Sequence, residues 1–337
     1  MRITMKEIAK EVGVSVTTVS HVINGTKRIS EPTYNKIMEC VKRHNYVPNY
    51  SAKNLRNSAT KTAGLVVPSF PDSYVTRYIN SISKRAKEMG YSLLFVNTDE
   101  DTDYEEETLK LLNAKMVDGI ILAPSAKASK PLPYDVTFLK DSMPIVLISR
   151  RHEAFDDCPV VIQDDYQAGY DAATHLLYHN HENMGIIYAV EDISPTNDRI
   201  RGFEDALKEH GLKLPSNHIY QGYATVEGGK KAVRKLLENQ PQITAIFTLN
   251  DSMTIGAISA LKEMNKKVPN DVALIGFGDF PSAAVMDPPI TNINLSPDIL
   301  GQTAFDLLLN KINNPGYNKS KSVHLPTYLI TRKSCGC

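Results

Sequence analysis

Thr17 and His21 lie four residues apart, so on a helix a hydroxyl and an imidazole would share one face, and both groups can hydrogen-bond base edges. Val16 beside them offers methyl groups to a thymine, and Lys27 and Arg28 offer cations to phosphates. A second set of polar and aromatic residues falls in loops that follow apolar runs: Tyr74, Ser125, Ser149, Arg199, Tyr223, Asn250 and Asp251. Together they supply stacking faces, hydroxyl and amide partners and one cation, which suits a cleft for a small polar or anionic molecule. Catalytic chemistry has less to build on. Asp, Ser and His are present, but the chain has no Gly-x-Ser-x-Gly elbow, phosphate-cradling glycine loop or metal-spaced histidine cluster, so no catalytic residue, cofactor or metal is expected. Cys40, Cys158, Cys335 and Cys337 lack paired C-x-x-C spacing and are read as free thiols. Cys335 and Cys337 have the chemistry to grip a metal or form a redox pair, but are read as an exposed, frayed tail.

Charge and periodicity then indicate the elements that position these residues. With 337 residues, 42% hydrophobic and 23% charged, the chain is too long for one ordinary core and too apolar for disorder. No run approaches the ~18 apolar residues of a membrane helix, and the polar stretch from Met1 to Lys10 holds no signal segment. A cytoplasmic protein without a membrane partner is expected. Net charge is zero, yet residues 1 to 61 hold 11 Lys and Arg against 4 Asp and Glu, while the remainder holds 27 against 34. A basic head on an acidic body points to a polyanion partner.

Thr4 with Glu7 three residues on forms a reciprocal cap for a first helix carrying Met5, Ile8, Ala9 and Val12. Gly13 supplies a turn, and Ser15 caps a second helix whose inward face is Val19, Val22 and Ile23. Ala9, Gly13 and Val19 thus provide the small contact, left-handed turn and apolar anchor of a helix-turn-helix. Ser30-Glu31-Pro32 announces a third helix through Tyr34, Ile37, Met38 and Val41 to Tyr46. If the second helix enters a major groove, Val16, Thr17, Thr18, Ser20 and His21 face the bases. Thr4, Ser15, Asn24, Lys27, Arg28 and Tyr46 complete the head's candidate contacts. After Pro48 comes a short helix-competent run holding Asn49, Ala52, Lys53, Leu55 and Arg56. Leu55 between Lys53 and Arg56 has the makeup of a minor-groove wedge, an apolar side chain held by cations.

Beyond Lys61, short apolar runs alternate with amphipathic ones: Thr62 to Pro68, Ser92 to Asn97, Gly119 to Ala123 and Pro144 to Ile148. A second series begins near Val160, with strands at Met184 to Val190, Ala245 to Leu249 and Val272 to Phe277. Such alternation predicts an α/β fold of doubly wound parallel sheets, with ligands at the carboxyl ends of the strands.

The stretch Thr4 to Asn24, with Tyr46-x-Pro-Asn and Ser51-Ala-x-x-Leu55, resembles the head and hinge of the lactose repressor/galactose repressor family of bacterial transcription regulators. Gly13 to Asn24 is especially similar to the reading helix of that family's purine repressor branch. The resemblance implies a helix-turn-helix head over 1–48, a hinge helix over 49–60, and an effector-binding and dimerisation domain over 61–337. It implies a body of two lobes built like periplasmic sugar-binding proteins. The first lobe would span about 61–160 and 291–321 and the second about 161–290 and 322–332, with chain crossings near 160, 290 and 322. Arg199, in Arg199-Ile-Arg-Gly-Phe203, matches the family's ligand-clamping arginine, Asn250 a cleft amide and Tyr223 an aromatic wall. Ser149 and Gly278 stand where many sugar-responsive members carry aspartates, and Asp279 is one position off, which argues against a typical sugar.

The resulting expectation is a sequence-specific DNA-binding repressor, a homodimer on a roughly palindromic operator, controlled by a small polar or anionic effector between the lobes. A protein corepressor acting on the same regulator is the alternative. A cytoplasmic enzyme and a solute-binding receptor are readings of a different class; the lack of catalytic motifs weighs against the first, and the missing export signal and basic head against the second.

Overall fold

The structure, a computed structural model, describes residues 3–46, 60–68, 73–125, 127–314 and 322–337. The chain divides into two compact units, Met1–Thr60 and Lys61–Cys337.

The first unit holds three helices, α1 (Met5–Val12), α2 (Val16–Asn24) and α3 (Glu31–Arg43). Thr4 and Glu7 close the reciprocal cap, the Thr4 amide donating to the Glu7 carboxylate over 2.7 Å and the Glu7 amide to the Thr4 hydroxyl over 3.3 Å. Gly13 ends α1 at φ 75°, a left-handed conformation that costs other residues strain. The Thr18 amide donates to the Ser15 hydroxyl over 3.1 Å, fixing where α2 starts. Ser30 precedes α3 without capping it: its hydroxyl binds the Thr33 hydroxyl at 2.9 Å, and Pro32 removes one of the amides a cap would use. Ile8, Ala9, Val19, Val22, Ile37 and Cys40 form the buried centre, so the inward faces of all three helices meet.

The second unit has two lobes. The chain builds the first as β1 (Thr62–Val67), α4 (Ser73–Glu88), β2 (Ser92–Asn97), α5 (Thr102–Ala114), β3 (Gly119–Leu122), α6 (Thr137–Ser142), β4 (Ile145–Ile148) and β5 (Val160–Gln163). It then builds the second as α7 (Asp165–Tyr178), β6 (Met184–Tyr188), α8 (Ser194–Glu209), β7 (Ile219–Gln221), α9 (Val226–Asn239), β8 (Ala245–Thr248), α10 (Asp251–Glu263), β9 (Ala273–Phe277) and β10 (Thr291–Asn294). Finally α11 (Pro297–Asn313) and β11 (Ser322–Leu325) return to the first lobe, and β12 (Tyr328–Ile330) ends in the second.

The sheet orders are β11-β5-β4-β3-β1-β2 and β12-β10-β9-β8-β6-β7. Pairing is parallel throughout, as between Thr62 and Ser92 or Ala63 and Gly119, except that β12 runs antiparallel to β10. Strands β3, β4, β5 and β8 are buried at every residue, because helices cover both sheet faces. Each crossing falls a few residues later than the positions near 160, 290 and 322 read from the sequence. Residues 160–163 and 322–325 pair within the first sheet and 291–294 within the second.

The tail is exposed at Cys337, as expected, but the residues before it are held rather than frayed. Ser334 donates its hydroxyl to the Leu274 carbonyl at 2.6 Å and accepts the Thr291 amide at 2.8 Å. The amides of Lys333 and Ser334 both reach the Pro289 carbonyl, and Cys335 is fully buried. Among the described residues, no helix is long and apolar enough to cross a membrane.

Candidate nucleic-acid interface and effector cleft

In the head, the caps at Ser15 and Gly25 fix the ends of α2. Val19 and Val22 are buried and Ile23 is half-buried, which turns Val16 and Thr17 outward, Val16 being 43% exposed. His21 Nδ1 lies 2.8 Å from the Thr26 hydroxyl, so one ring nitrogen is tied to the helix end. Thr18 shares its hydroxyl with Ser15 at 2.8 Å, and Asn24 donates to the Ser20 carbonyl at 2.8 Å. These residues therefore also shape the helix and its ends. Lys27 and Arg28 are exposed just beyond it, and Thr4 is exposed at the α1 cap. Tyr46 packs half-buried against the head's core. Asn49, Ala52, Lys53, Leu55 and Arg56 lie outside the described residues.

In the body, a cavity of about 100 Å³ lies between the lobes at the carboxyl ends of the strands. The first lobe contributes Tyr74, Glu100, Ser149 and Arg150; the second contributes Thr196, Arg199 and Asn250. Ligand pockets typically measure about 300–1,000 Å³, so admitting a sugar-sized molecule requires these walls to move apart.

Arg199 is held on three sides. Its Nε donates to Asp165 at 2.7 Å, one terminal nitrogen donates to the Leu249 carbonyl at 2.9 Å, and its guanidinium lies 3.5 Å from the centre of the Phe277 ring. Burial pushes the Asp165 carboxyl up to about 6, although the Arg199 charge pulls the other way. The helices carrying this pair cross closely because both have glycine at the contact. A Cβ on Gly169 would come 1.9 Å from the Arg199 carbonyl oxygen, and one on Gly202 would come 2.0 Å from that of Tyr166.

On the opposite wall, Arg150 grips Glu100 with two nitrogens at 2.6 and 2.8 Å and donates to the Pro124 carbonyl at 3.1 Å. Ser149, at φ 64°, turns the chain into this pair. Asn250 caps α10 by accepting the Met253 amide at 2.8 Å, and Asp251 is the helix's first residue. Burial raises the Tyr74 hydroxyl far above its usual range.

The structure gathers Tyr74, Ser149, Arg199 and Asn250 at the cavity and sets three other candidates apart. Ser125 sits buried behind the wall, its hydroxyl 2.7 Å from that of Thr98 and its amide donating to Glu105. Tyr223 is 67% exposed, while its neighbour Ala224 reaches the cavity. Asp279 accepts from Arg332 at 2.8 Å, which holds it to the segment just after the second lobe's last strand. Sequence reasoning missed Asp165, Phe277 and the Glu100–Arg150 pair. Only Arg150, beside Ser149 at a strand end, carried a local signal.

A latch joins the lobes beside the cavity. Ser129 donates to Asp192, the Ala128 amide reaches the Asp192 carbonyl at 2.6 Å, and Lys127 pairs with Glu191 at 3.3 Å. The Arg151 amide donates to the Ser194 hydroxyl at 2.8 Å while its guanidinium pairs with Asp198. Ser73 donates to Asp251 across the same gap.

Comparison with known proteins accords with both units. The family model described as "Bacterial regulatory proteins, lacI family" matches residues 4–49. The model described as "Periplasmic binding proteins and sugar binding domain of LacI family" matches residues 60–333. Over 333 residues the chain is 33% identical to the HTH-type transcriptional repressor PurR of Klebsiella pneumoniae, covering 98% of this chain and 96% of the relative. The PurR repressor of Haemophilus influenzae is 32% identical, with 98% of each chain covered. Among solved structures, a complex of the transcriptional regulator CelR with cellobiose is 26% identical with a TM-score of 0.73, covering 99% of this chain and all of that one. The lac repressor dimer bound to operator and the anti-inducer ONPF shares the fold, with a TM-score of 0.86 at 22% identity and 99% of each chain covered. The relatives named here are repressors or regulators rather than enzymes.

Proposed function

The chain belongs to the LacI family of bacterial regulatory proteins, and on that premise we propose how its two units share the work of an effector-controlled transcriptional repressor. The head reads operator DNA in a major groove through Val16, Thr17 and His21, while Lys27, Arg28 and the α1 cap at Thr4 position it on phosphates. The basic hinge inserts Leu55 into the minor groove. Two copies pair on a roughly palindromic operator, an assembly supported by the lac repressor dimer, and the protein acts in the cytoplasm.

The observation that carries the effector half is the position of Arg199. It stands at the wall of a cavity lined by both lobes, so a ligand touching it also touches the lobe opposite. Arg199 and Arg150 each have a carboxylate partner, Asp165 and Glu100. A neutral polar effector therefore fits the cavity better than an anion. Binding biases the lobe arrangement, and the junction at Thr60 and Lys61, where the body follows the first unit, passes that bias to the hinge.

Selection of bound genomic fragments by the full chain, followed by anisotropy titration with and without metabolites acted on by neighbouring gene products, tests this reading. A short two-fold-symmetric site bound far more tightly than random DNA is expected. Leu55→Ala should lower affinity for it by about 1–3 kcal/mol while sparing much non-specific binding. Equal affinity for selected and random DNA would overturn the proposal.

A further inference from the structure

Away from the cleft and the head, four side chains with metal-ligand chemistry converge on the second lobe: His175, His179, Cys335 and Cys337. Their donor atoms all lie within 4.8 Å of one another. Cys337 Sγ is 3.0 Å from His179 Nε2, 3.4 Å from His175 Nε2 and 2.9 Å from Cys335 Sγ. Two distant pieces of sequence build the cluster. Helix α7 presents histidines four residues apart on one face at its C-terminal end, and the tail brings Cys-x-Cys against them.

Each piece is shaped for the meeting. The tail is anchored by the Ser334 bonds to Leu274 and Thr291, and Thr291 Oγ1 donates to the buried Cys335 sulfur at 3.1 Å. Gly336 has φ 97°, where a side chain would be strained, and this turn brings Cys337 back beside Cys335 toward the helix.

We propose that His175, His179, Cys335 and Cys337 bind one thiophilic divalent cation of the zinc class, a structural site that clasps the tail to α7. Zinc–sulfur bonds of about 2.3 Å and zinc–nitrogen bonds of about 2.0–2.1 Å set tetrahedral ligand separations of roughly 3.4–3.8 Å. The separations of 2.9–3.4 Å around Cys337 lie at or just below that range, so small side-chain rotations open the cluster enough for the ion. Four protein ligands complete the coordination, which makes the site structural rather than catalytic.

On binding, each thiol gives its proton to solvent and the resulting thiolate donates an electron pair to the metal; no redox change occurs. Two thiolates, two neutral imidazoles and a divalent cation sum to zero charge, which suits a partly buried place. The negative end of the α7 dipole further favours a cation there. The Thr291 hydroxyl supplies a hydrogen bond to one sulfur, as outer partners do in metal sites. The head's cluster of Glu11, Cys40 and His44 differs, because Arg43 already pairs with the Glu11 carboxylate.

The test uses the full chain, purified under reducing conditions without chelator. Metal analysis after incubation with Zn²⁺ and desalting should find about one equivalent per chain. Replacement by Co²⁺ should give the intense visible bands of a tetrahedral site and a sulfur-to-cobalt charge-transfer band. Stripping the metal should lower the thermal midpoint by several degrees, and Zn²⁺ should restore it. Cys337→Ser and His179→Ala should each abolish stoichiometric retention, whereas Cys158→Ser, at a buried position elsewhere, should not. Wild-type chain that is folded and reduced yet retains no Zn²⁺ and gives no charge-transfer band would overturn the proposal. So would a Co²⁺ spectrum unchanged by Cys337→Ser, or a Cys335–Cys337 disulfide that persists in reductant.

Discussion

Arg199 gains its place from partners rather than from solvent, and this sets what its replacement should do. Its charge is matched by Asp165, its face rests on Phe277, and one nitrogen satisfies the Leu249 carbonyl. Arg199→Ala should abolish the effector response while leaving effector-free operator affinity unchanged, since head and hinge keep their sequence. Calorimetry with the effector and anisotropy on the operator check the two halves, and unchanged effector affinity would move a protein corepressor ahead. The pair also titrates. In an unfolded chain Asp165 would ionise near 3.9, whereas burial raises it to about 6 in the fold. The native state therefore holds the proton more tightly. Its stabilising contribution is full below about pH 4 and is lost as pH rises through about 6. Below that point Arg199 faces the cavity without its counter-charge. An anionic effector should then bind more tightly at about pH 5 than at about pH 8, while a neutral one should change little. A neutral effector that strengthens at low pH as an anion would contradicts the Asp165 assignment.

Local signals account for most of what was legible in the sequence at the level of elements. Thr4 with Glu7, Gly13 and Ser15 act within four residues, so reading them needs no knowledge of the fold, and all three behave as expected. Ser30 makes no side-chain cap: its hydroxyl donates to the Thr33 hydroxyl, and Pro32 has no amide to offer it. The alternating apolar runs locate the central strands, but they do not bound the helices between them. Helix α11 shows why: its buried Leu300, Ala304, Leu307 and Leu308 recur at helical spacing, but the exposed Ile299 and half-buried Leu309 add apolar residues outside that face and blur the stripe. The Arg199–Asp165 pair was illegible for a different reason, since it depends on the α7–α8 crossing rather than on any local pattern. Gly202→Ala tests that crossing. Its Cβ would press on the Tyr166 backbone, so the body should lose about 2–4 kcal/mol in urea unfolding and effector binding should weaken with it. An alanine variant of unchanged stability would show that the helices can part without cost. In the head, Ser15→Ala should cost about 1 kcal/mol by removing the α2 cap.

Across the whole molecule, the latch between the lobes gives a way to read the sign of regulation before the effector is known. Asp192, Asp198 and Glu191 hold the second lobe to Ser129, Arg151 and Lys127 of the first. Cutting these contacts with Asp192→Ala, Asp198→Ala and Glu191→Ala lowers the population of the lobe arrangement seen here. A partly exposed ion pair contributes about 0.2–1 kcal/mol and a hydrogen bond to a charged group about as much or more, so each cut shifts the equilibrium several-fold. A ligand can change operator affinity only through its preference for one arrangement, and a tenfold effect needs about 1.4 kcal/mol of coupling. If the effector stabilises the latched form, the triple variant should bind it several-fold more weakly. The variant's effector-free operator affinity should then move opposite to the effector's own action. It should fall if the effector is a corepressor and rise if it is an inducer. Anisotropy on the operator with no ligand present reads that sign directly, and calorimetry supplies the effector half. A triple variant that matches wild type in both measurements would remove the latch from the switch and leave the cleft as a binding site without a lever.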